Sequence, residues 1–455
     1  MCSTITPSAF AARLREFIKA SVRDSLEPGG RGARLTRGPD ACSERERAFD
    51  RLAADLFTFQ FERNQPYRRF CQARHSSPAI VSDWTQIPAV PVSAFKEVDL
   101  SCLPVEARTS VFYSSGTTGQ RVSRHFHNDE SLAIYEASVL AGFGAHVIPD
   151  VQFPIFNLQT LQESPRSDAQ WETLIYRQRE RTAVDDWTLA ILTPPPAQAP
   201  HSSLVYMFDT VRRAMGAPDS AFAGDIGPDG AWTLDSEIAL NTLRGAVAVR
   251  QRVLLLGTAF SFVHLVELLA EKKTRFELPA GSRALETGGY KGRSRSLPKD
   301  ELHSLITRSL GIPPSHIACE YGMSELSSQA YDGTIGERPL ETGSWPTSGW
   351  KPLQLSGWKP DPRPGACWGT TDCPSAFVRR VFQFPLWARA QIVSPETGRE
   401  VGEGETGLIR VLDLANVHSV LAIQTEDLGI RRGDGFEFVG RAALAEPRGC
   451  SLMAI

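Results

Sequence analysis

A chain of 455 residues is longer than one ordinary domain and can bury a large core. Its 42% hydrophobic and 22% charged residues are typical of a soluble globular protein. The formal net charge of -3 gives no electrostatic case for nucleic acid or an anionic membrane as a partner. The sequence has no apolar run of about 18 residues and no signal-type N-terminal segment, so we expect a cytoplasmic protein without a membrane span.

The eight cysteines are scattered along the chain and include no CxxC pair. Cys367 and Cys373 lie close together, but no second pair or histidine run completes a zinc site. This usage indicates reduced thiols rather than disulfides.

The N-terminal part shows helical periodicity. Apolar residues recur at helical spacing over residues 8–26 and again from about 44 to 69, on either side of a Gly/Arg-rich break at 29–38. We therefore expect a helical N-terminal extension over residues 1–79, whose apolar stripes face a core.

A run of small hydroxylated residues follows Val111-Phe112. Its two glycines and four Ser/Thr residues cannot pack a core, but they can turn N–H groups and hydroxyls toward an anion. The run lacks the ending of the GxxxxGK[ST] loop, and a solvated turn is the alternative. The candidate phosphate-binding residues are Ser114, Ser115, Gly116, Thr117, Thr118 and Gly119.

Downstream, strand and helix patterns alternate. Strands are predicted at 251–258, 283–287 and up to Tyr321, with helices at 260–271 and 299–310 between them. This order is typical of parallel βαβ units, whose ligands bind at the carboxyl ends of the strands. Loops at Gly257-Thr258, Gly288–Tyr290 and Tyr321-Gly322 are therefore expected to converge on one pocket.

Three further motifs follow the Ser/Thr/Gly loop in order: YGxxE (residues 321–325), T-x-D-x-G (425–429) and Gly440-Arg441. Together, the four motifs resemble the adenylate-forming (acyl-AMP synthetase) superfamily. The resemblance implies that the loop holds the phosphates of ATP, that Glu325 helps to bind Mg²⁺ and that Asp427 binds the ribose hydroxyls. It also implies that Gly288, Gly289, Tyr290, Tyr321 and Gly322 lie beside the nucleotide. The alternative interpretations are that Asp427 is a carboxylate in a β-turn and that Glu325 is a surface residue after a strand.

Several segments look more narrowly like the LuxE-type acyl-protein synthetases of fatty acid reductase complexes. The most specific are GGYKG (288–292) and RGCSL (448–452). The resemblance implies activation of a fatty acid, expected to be long-chain, as acyl-AMP. It also implies transfer to a C-terminal cysteine, here Cys450, which passes the acyl group to an acyl reductase partner.

The C-terminal residues support and complicate this interpretation. A thiol on a mobile, Gly-preceded tail can reach into a pocket, and nearby Arg448 favours the thiolate, although a plain free cysteine is the alternative. Only 14 residues follow Arg441, where the family usually continues into a lobe with an adenylation lysine. Lys291 or Arg441 is then expected to neutralise the phosphate charge.

The expected fold is α/β: the large domain of adenylate-forming enzymes, with mixed and parallel sheets and without the small C-terminal domain. It spans 80–440, with a Trp/Pro-rich insertion at about 343–377 and a tail at 441–455. A CoA ligase of the phenylacetate type and a non-catalytic nucleotide-binding scaffold are the rival functions. His125 and His127 either orient the substrate carboxylate or lie one buried and one exposed.

Overall fold

The structure is a computed structural model of the chain and describes residues 6–26, 39–114, 121–150, 187–217, 220–228, 230–288, 297–336 and 380–442. Several predicted features lie outside these ranges: Ser115–Gly119, Gly289, Tyr290, Lys291, the insertion at 343–377, Arg448 and Cys450. Within the described ranges, no helix is both long enough and apolar enough to cross a membrane.

The N-terminal helices are α1 (Pro7–Leu26), α2 (Pro39–Arg63) and α3 (Gln65–Ala73). The helix predicted from about 44 to 69 is thus two helices, interrupted at Asn64. Asn64 has an extended backbone, and its side chain caps α3 by accepting a hydrogen bond from the N–H of Tyr67. Pro66 in the first turn of α3 cannot continue the ladder of α2, which explains the break.

The middle of the chain supplies most of the remaining elements. The strands are β1 (Val90–Pro91), β2 (Ser110–Tyr113), β3 (Arg124–His127), β4 (Trp187–Ile191), β5 (Ala221–Phe222), β6 (Gly224–Ile226), β7 (Trp232–Leu234), β8 (Arg252–Thr258), β9 (Arg283–Thr287), β10 (Ile317–Tyr321) and β11 (Ala330–Tyr331). The helices are α4 (Ala94–Glu97), α5 (Asp129–His146), α6 (Ser203–Met215), α7 (Ser236–Val249), α8 (Ala259–Glu271) and α9 (Lys299–Leu310).

A six-stranded sheet has the strand order β11-β10-β9-β8-β4-β5, and only β11 runs antiparallel to its neighbour. Helices α5 and α6 pack against one face, and α7, α8 and α9 pack against the other. Both faces of the parallel strands are therefore buried, as the apolar run Val253–Leu256 of β8 requires. The predicted strand at 283–287 and helix at 299–310 have the bounds of β9 and α9.

A second sheet contains β12 (Ala388–Val393), β13 (Thr406–Asp413), β14 (Ala422–Arg432) and β15 (Gly435–Arg441). Its order is β1-β14-β13-β12, and β15 pairs with the other part of β14. The buried residues of this sheet and of α1, α2 and α3 form one continuous hydrophobic core. The N-terminal helices are thus packed onto the sheet that carries Asp427 and Arg441.

Two glycines offer a test of the packing. An added Cβ at Gly224 would lie 2.2 Å from the carbonyl carbon of Thr193, whereas at exposed Gly245 in α7 it would meet nothing within 4 Å. We expect Gly224→Ala to lower the free energy of unfolding by about 1–3 kcal/mol or more, because backbone must move. The matched change Gly245→Ala should raise it by about 0.5–1 kcal/mol, through helix propensity. Urea denaturation measures both, and equal effects would contradict the packing.

Candidate functional site

The two sheets meet at the carboxyl end of β10. The hydroxyl of Tyr321, the last residue of β10, donates a hydrogen bond of 2.9 Å to Oδ2 of Asp427 on β14. Tyr321 also lies against four aromatic rings, those of Phe382, Phe384, Phe436 and Phe438. The YGxxE and T-x-D-x-G motifs are therefore brought together, and Asp427 lies in a strand rather than in a turn.

Asp427 is partly buried and held from several sides. Its own N–H donates to Oγ1 of Thr425 at 3.1 Å, which fixes the backbone at this point. Burial raises the pKa of Asp427, whereas the hydrogen bond from Tyr321 and the charge of Arg441 lower it. Arg441 is its cross-strand partner on β15; the Arg441 side chain is 71% exposed and lies 3.5 Å from Glu426. A cation at this position is accessible to a ligand.

Glu325 is buried, only 4% exposed, so the alternative that it is a surface residue is wrong. Its Oε1 accepts a short hydrogen bond from Ser123, and its Oε2 accepts one of 3.0 Å from Ser324. Burial raises the pKa of Glu325, whereas these two hydroxyls and the charge of Lys96 act in the opposite direction. A carboxylate in this setting is fixed in direction and retains lone pairs for a further partner.

The two ends of the predicted phosphate loop are joined at its base. The N–H of Ser114 donates to the carbonyl of Ser123 at 3.3 Å, and the N–H of Ser123 donates to Oγ of Ser114 at 3.0 Å. These contacts follow from the antiparallel pairing of β2 with β3, which begins with Tyr113 opposite Arg124. The loop therefore starts and ends beside the carboxylate of Glu325.

Lys96 is a candidate site residue that the sequence patterns did not identify. It lies in the short helix α4, where Phe95 packs edge-on against His125 with the ring centroids 6.3 Å apart. Glu97 forms an ion pair of 3.2 Å with Arg121, just after the loop. Lys96 lies between these two contacts, and no described residue forms an ion pair with it. The signal in the sequence was a lysine in a segment leading to the loop.

His125 and His127 share the buried face of β3 with Ser123, at 3% and 1% exposure, so the alternative of one buried and one exposed ring is wrong. Nδ1 of His125 lies 2.9 Å from the carbonyl of Ser324, to which it must donate. Burial lowers the pKa of His125 to about 4 and holds that of His127 well below its usual value. Both rings are therefore neutral near pH 7, and His125 holds the backbone next to Glu325.

The predicted glycines differ in their surroundings. Gly288 follows Thr287, which is the register partner of Glu320 on β10, so it lies at the same sheet edge as Tyr321 and is exposed. At Gly322, an added Cβ would lie 2.2 Å from Oε1 of Glu320. Burial and the neighbouring Glu286 raise the pKa of Glu320 to about 8. Gly322 thus leaves room for a buried carboxyl group that is protonated at neutral pH.

The described residues of the site provide only some of the ligands that a hard cation such as Mg²⁺ needs. Among the described residues, no cluster of three or more His, Cys, Asp or Glu side chains is arranged to hold a metal ion. Mg²⁺ commonly uses one or two carboxylates together with substrate phosphates and water. Glu325 beside the phosphate loop matches that pattern, so this chain would hold Mg²⁺ with a bound nucleotide rather than alone.

Comparison with known proteins shows which families and folds this chain resembles. Residues 39–135 match the family model described as "Acyl-protein synthetase, LuxE". The long-chain-fatty-acid–luciferin-component ligase of Vibrio harveyi is 20% identical over 420 residues, covering 90% of this chain and 88% of the relative. The ligase of the same name from Aliivibrio fischeri is 31% identical over 107 residues, covering 24% of this chain and 27% of that relative.

Among solved structures, a 2-hydroxyisobutyryl-CoA ligase in complex with 2-HIB-AMP superposes with a TM-score of 0.52. The sequence identity is 12%, and the match covers 88% of this chain and 68% of the other, so it bears on the fold alone. The resemblance to the LuxE-type acyl-protein synthetases is confirmed, as are the α/β fold of the adenylate-forming large domain and the assignment to the ligases.

The raised pKa of Glu320 gives a pH prediction. Because its pKa is about 8 in the folded state and 4.5 otherwise, the folded chain binds the proton more tightly. Stability from this group is present below pH 4.5 and is lost as the pH rises towards about 8. Glu320→Gln should therefore stabilise the protein at pH 9 by an amount on the order of a few kcal/mol, with little effect at pH 4.5. Urea denaturation at both pH values measures it; a pH-independent effect would contradict it.

Proposed function

We propose that this protein activates a fatty acid with ATP and Mg²⁺ as acyl-AMP and then transfers the acyl group to a protein cysteine. The observation that carries the proposal is the junction at Tyr321. It brings Glu325, Asp427 and the base of the phosphate loop to one edge of two sheets. Adenylation requires no side-chain nucleophile, so it depends on positioning the reactants and neutralising charge.

The nucleotide would lie across this junction. The N–H groups and hydroxyls of Ser114–Gly119 would bind the phosphates, and Asp427 would accept hydrogen bonds from the ribose hydroxyls. The adenine would lie beside Tyr321 and the Gly288–Tyr290 loop. Tyr321 orients Asp427 through its hydroxyl and presents a ring face at the same time.

Charge neutralisation would come from this chain and from the metal. Mg²⁺, when bound, would withdraw charge from the phosphate oxygens, and Glu325 would hold it there. The charge of Lys96 acts on Glu325, and Lys96 forms no ion pair among the described residues, so this charge would also be available to the phosphates. Arg441, exposed and next to Asp427, would contribute from the other side.

Acyl transfer would follow by attack of the Cys450 thiolate on the acyl carbonyl carbon. The S–C bond forms, the C–O bond to the phosphate of AMP breaks, AMP leaves, and the thiol proton passes to solvent. The product thioester keeps the acyl carbon electrophilic, so an acyl reductase partner could take the group by thiol exchange.

The first test is the carboxylate. Glu325→Gln should keep the fold, because Ser123 and Ser324 can rotate their hydroxyls to suit an amide. It should lower acid-dependent release of pyrophosphate by roughly 100-fold, since the charge that holds Mg²⁺ is lost. Glu396→Gln, in an exposed turn, is the matched control and should leave the rate unchanged. If the wild type releases no pyrophosphate with short, long or aromatic acids, the scaffold interpretation replaces this one.

The second test is the acceptor. Cys450→Ser should retain acyl-AMP formation and lose the hydroxylamine-labile acyl label, measured by intact mass after incubation with ATP, Mg²⁺ and a fatty acid. Cys319→Ser is the control and should keep the label, because burial raises the pKa of the Cys319 thiol far above its usual range. A label that persists in Cys450→Ser would contradict the acceptor, and release of a CoA thioester would favour a CoA ligase.

A further inference from the structure

The segment after Glu325 is fastened to the end of β13. Both oxygens of Asp413, which is fully buried, accept hydrogen bonds from this region. Oδ2 accepts from the N–H groups of Ser327 and Ser328 at 2.9 and 2.8 Å, and Oδ1 accepts from the hydroxyl of Ser328 at 2.7 Å. The backbone that follows Glu325 is therefore fixed by the carboxylate of Asp413, the last residue of β13.

Asn416 makes the contact to Glu325 itself. Its Nδ2 donates to the backbone carbonyl of Glu325 at 2.9 Å and to that of Val420 at 3.1 Å. Because both partners are carbonyls, the amide nitrogen must face them, and the orientation of the side chain follows. Asn416 is 1% exposed, so neither carbonyl has water as a replacement partner.

The loop that carries Asn416, residues 414–421, is held in turn by α2. Gln60 is fully buried; its Nε2 donates to the carbonyls of Asn416 and Val417 at 2.7 and 3.2 Å. Its Oε1 accepts from the N–H of Leu421 at 2.8 Å. One side chain thus fixes both ends of the turn, across more than 350 residues of sequence.

The loop has a second anchor that does not lead to Glu325. Nδ2 of Asn64 donates to the carbonyl of Ser419 at 3.2 Å, and the hydroxyl of Ser419 donates to the carbonyl of Leu100 at 3.1 Å. These contacts hold the far side of the 414–421 loop. They supply a comparison in which the loop is weakened without touching the contact to Glu325.

We propose that Asn416 is a positioning residue for the Mg²⁺–nucleotide site and that Gln60 acts through it, so that the N-terminal helices help to set the position of Glu325. The inference rests on the proposed function of Glu325. The carboxylate of Glu325 is aligned by Ser123 and Ser324, whereas its main chain is aligned by His125 on one side and Asn416 on the other. Outer partners of this kind change metal affinity when removed, by about 10–100-fold.

The test uses two measurements at increasing Mg²⁺ concentration. Binding of an unreactive ATP analogue is measured by the shift in melting temperature, and activity is measured by pyrophosphate release. In Asn416→Ala, we expect the Mg²⁺ concentration at half-saturation to rise about tenfold in both measurements, with the KM for the acid unchanged. Gln60→Ala should shift it in the same direction by a smaller factor. Asn64→Ala is the matched control: it should lower the melting temperature and leave the Mg²⁺ requirement as in the wild type.

Each outcome separates the possibilities. Unchanged Mg²⁺ dependence in Asn416→Ala, or an equal shift in Asn64→Ala, overturns the positioning role. If Asn416→Ala does not fold, Asn416→Asp and Gln60→Ala carry the same expectation, and no shift in either overturns it. A wild type that releases no pyrophosphate with any acid contradicts the proposed function instead, whatever the variants do.

Discussion

The hydrogen bond between Tyr321 and Asp427 joins two sheets whose buried residues belong largely to different cores, with Tyr321 itself packed in the core of the second sheet. Tyr321 ends a strand of the parallel sheet, whose faces are covered by α5 to α9, whereas Asp427 lies in the sheet covered by α1 to α3. Each motif could fold correctly within its own sheet and still be useless for one ligand. The 2.9 Å contact fixes their separation, and the aromatic residues around Tyr321 keep its ring from rotating away.

Buried carboxyl groups surround this junction, and their different surroundings matter because a nucleotide brings several negative charges of its own. Glu325 is ionised at lower cost because two hydroxyls and a lysine face it. No described residue donates a hydrogen bond to the carboxyl group of Glu320, and burial with Glu286 nearby raises its pKa to about 8. A protonated Glu320 adds no negative charge to this junction at neutral pH, whereas an ionised one would add repulsion.

The sequence predicts the elements of the parallel sheet well because their signals are local. The helix at 299–310 has the expected bounds because helical periodicity specifies it directly, and the strand at 283–287 also has them, although Arg283 and Glu286 interrupt its apolar residues. The break at Asn64 also has a local signal, namely a helix-capping residue with Pro66 two positions later. The apolar stripe nevertheless continues through the break. Periodicity alone does not register such an interruption.

The candidate site, too, could be predicted from the sequence only in part. Motif order identified Glu325 and Asp427, but their roles remain predictions, as do those of the loop residues and Cys450. Lys96 was not identified, because a lysine before a loop looks like any surface cation until Phe95 and Glu97 are seen to contact the residues after the loop. The burial of both His125 and His127 was missed as well: residues two apart lie on the same face of a strand, but the sequence does not say whether another element covers that face.

The contacts of Gln60 and Asn416 show why sequence patterns could not extend further into the site. Glutamine in a helix and asparagine in a loop are ordinary residues, and each is unremarkable within ten residues of its own position. Their significance lies in hydrogen bonds that span more than 350 and about 90 residues, and these exist only after α2 has packed onto the second sheet. Formation of the site is therefore coupled to the packing of the N-terminal helices. A change that removes the contacts of Gln60 is expected to reach Glu325 through Asn416, even though Gln60 is part of no recognisable motif.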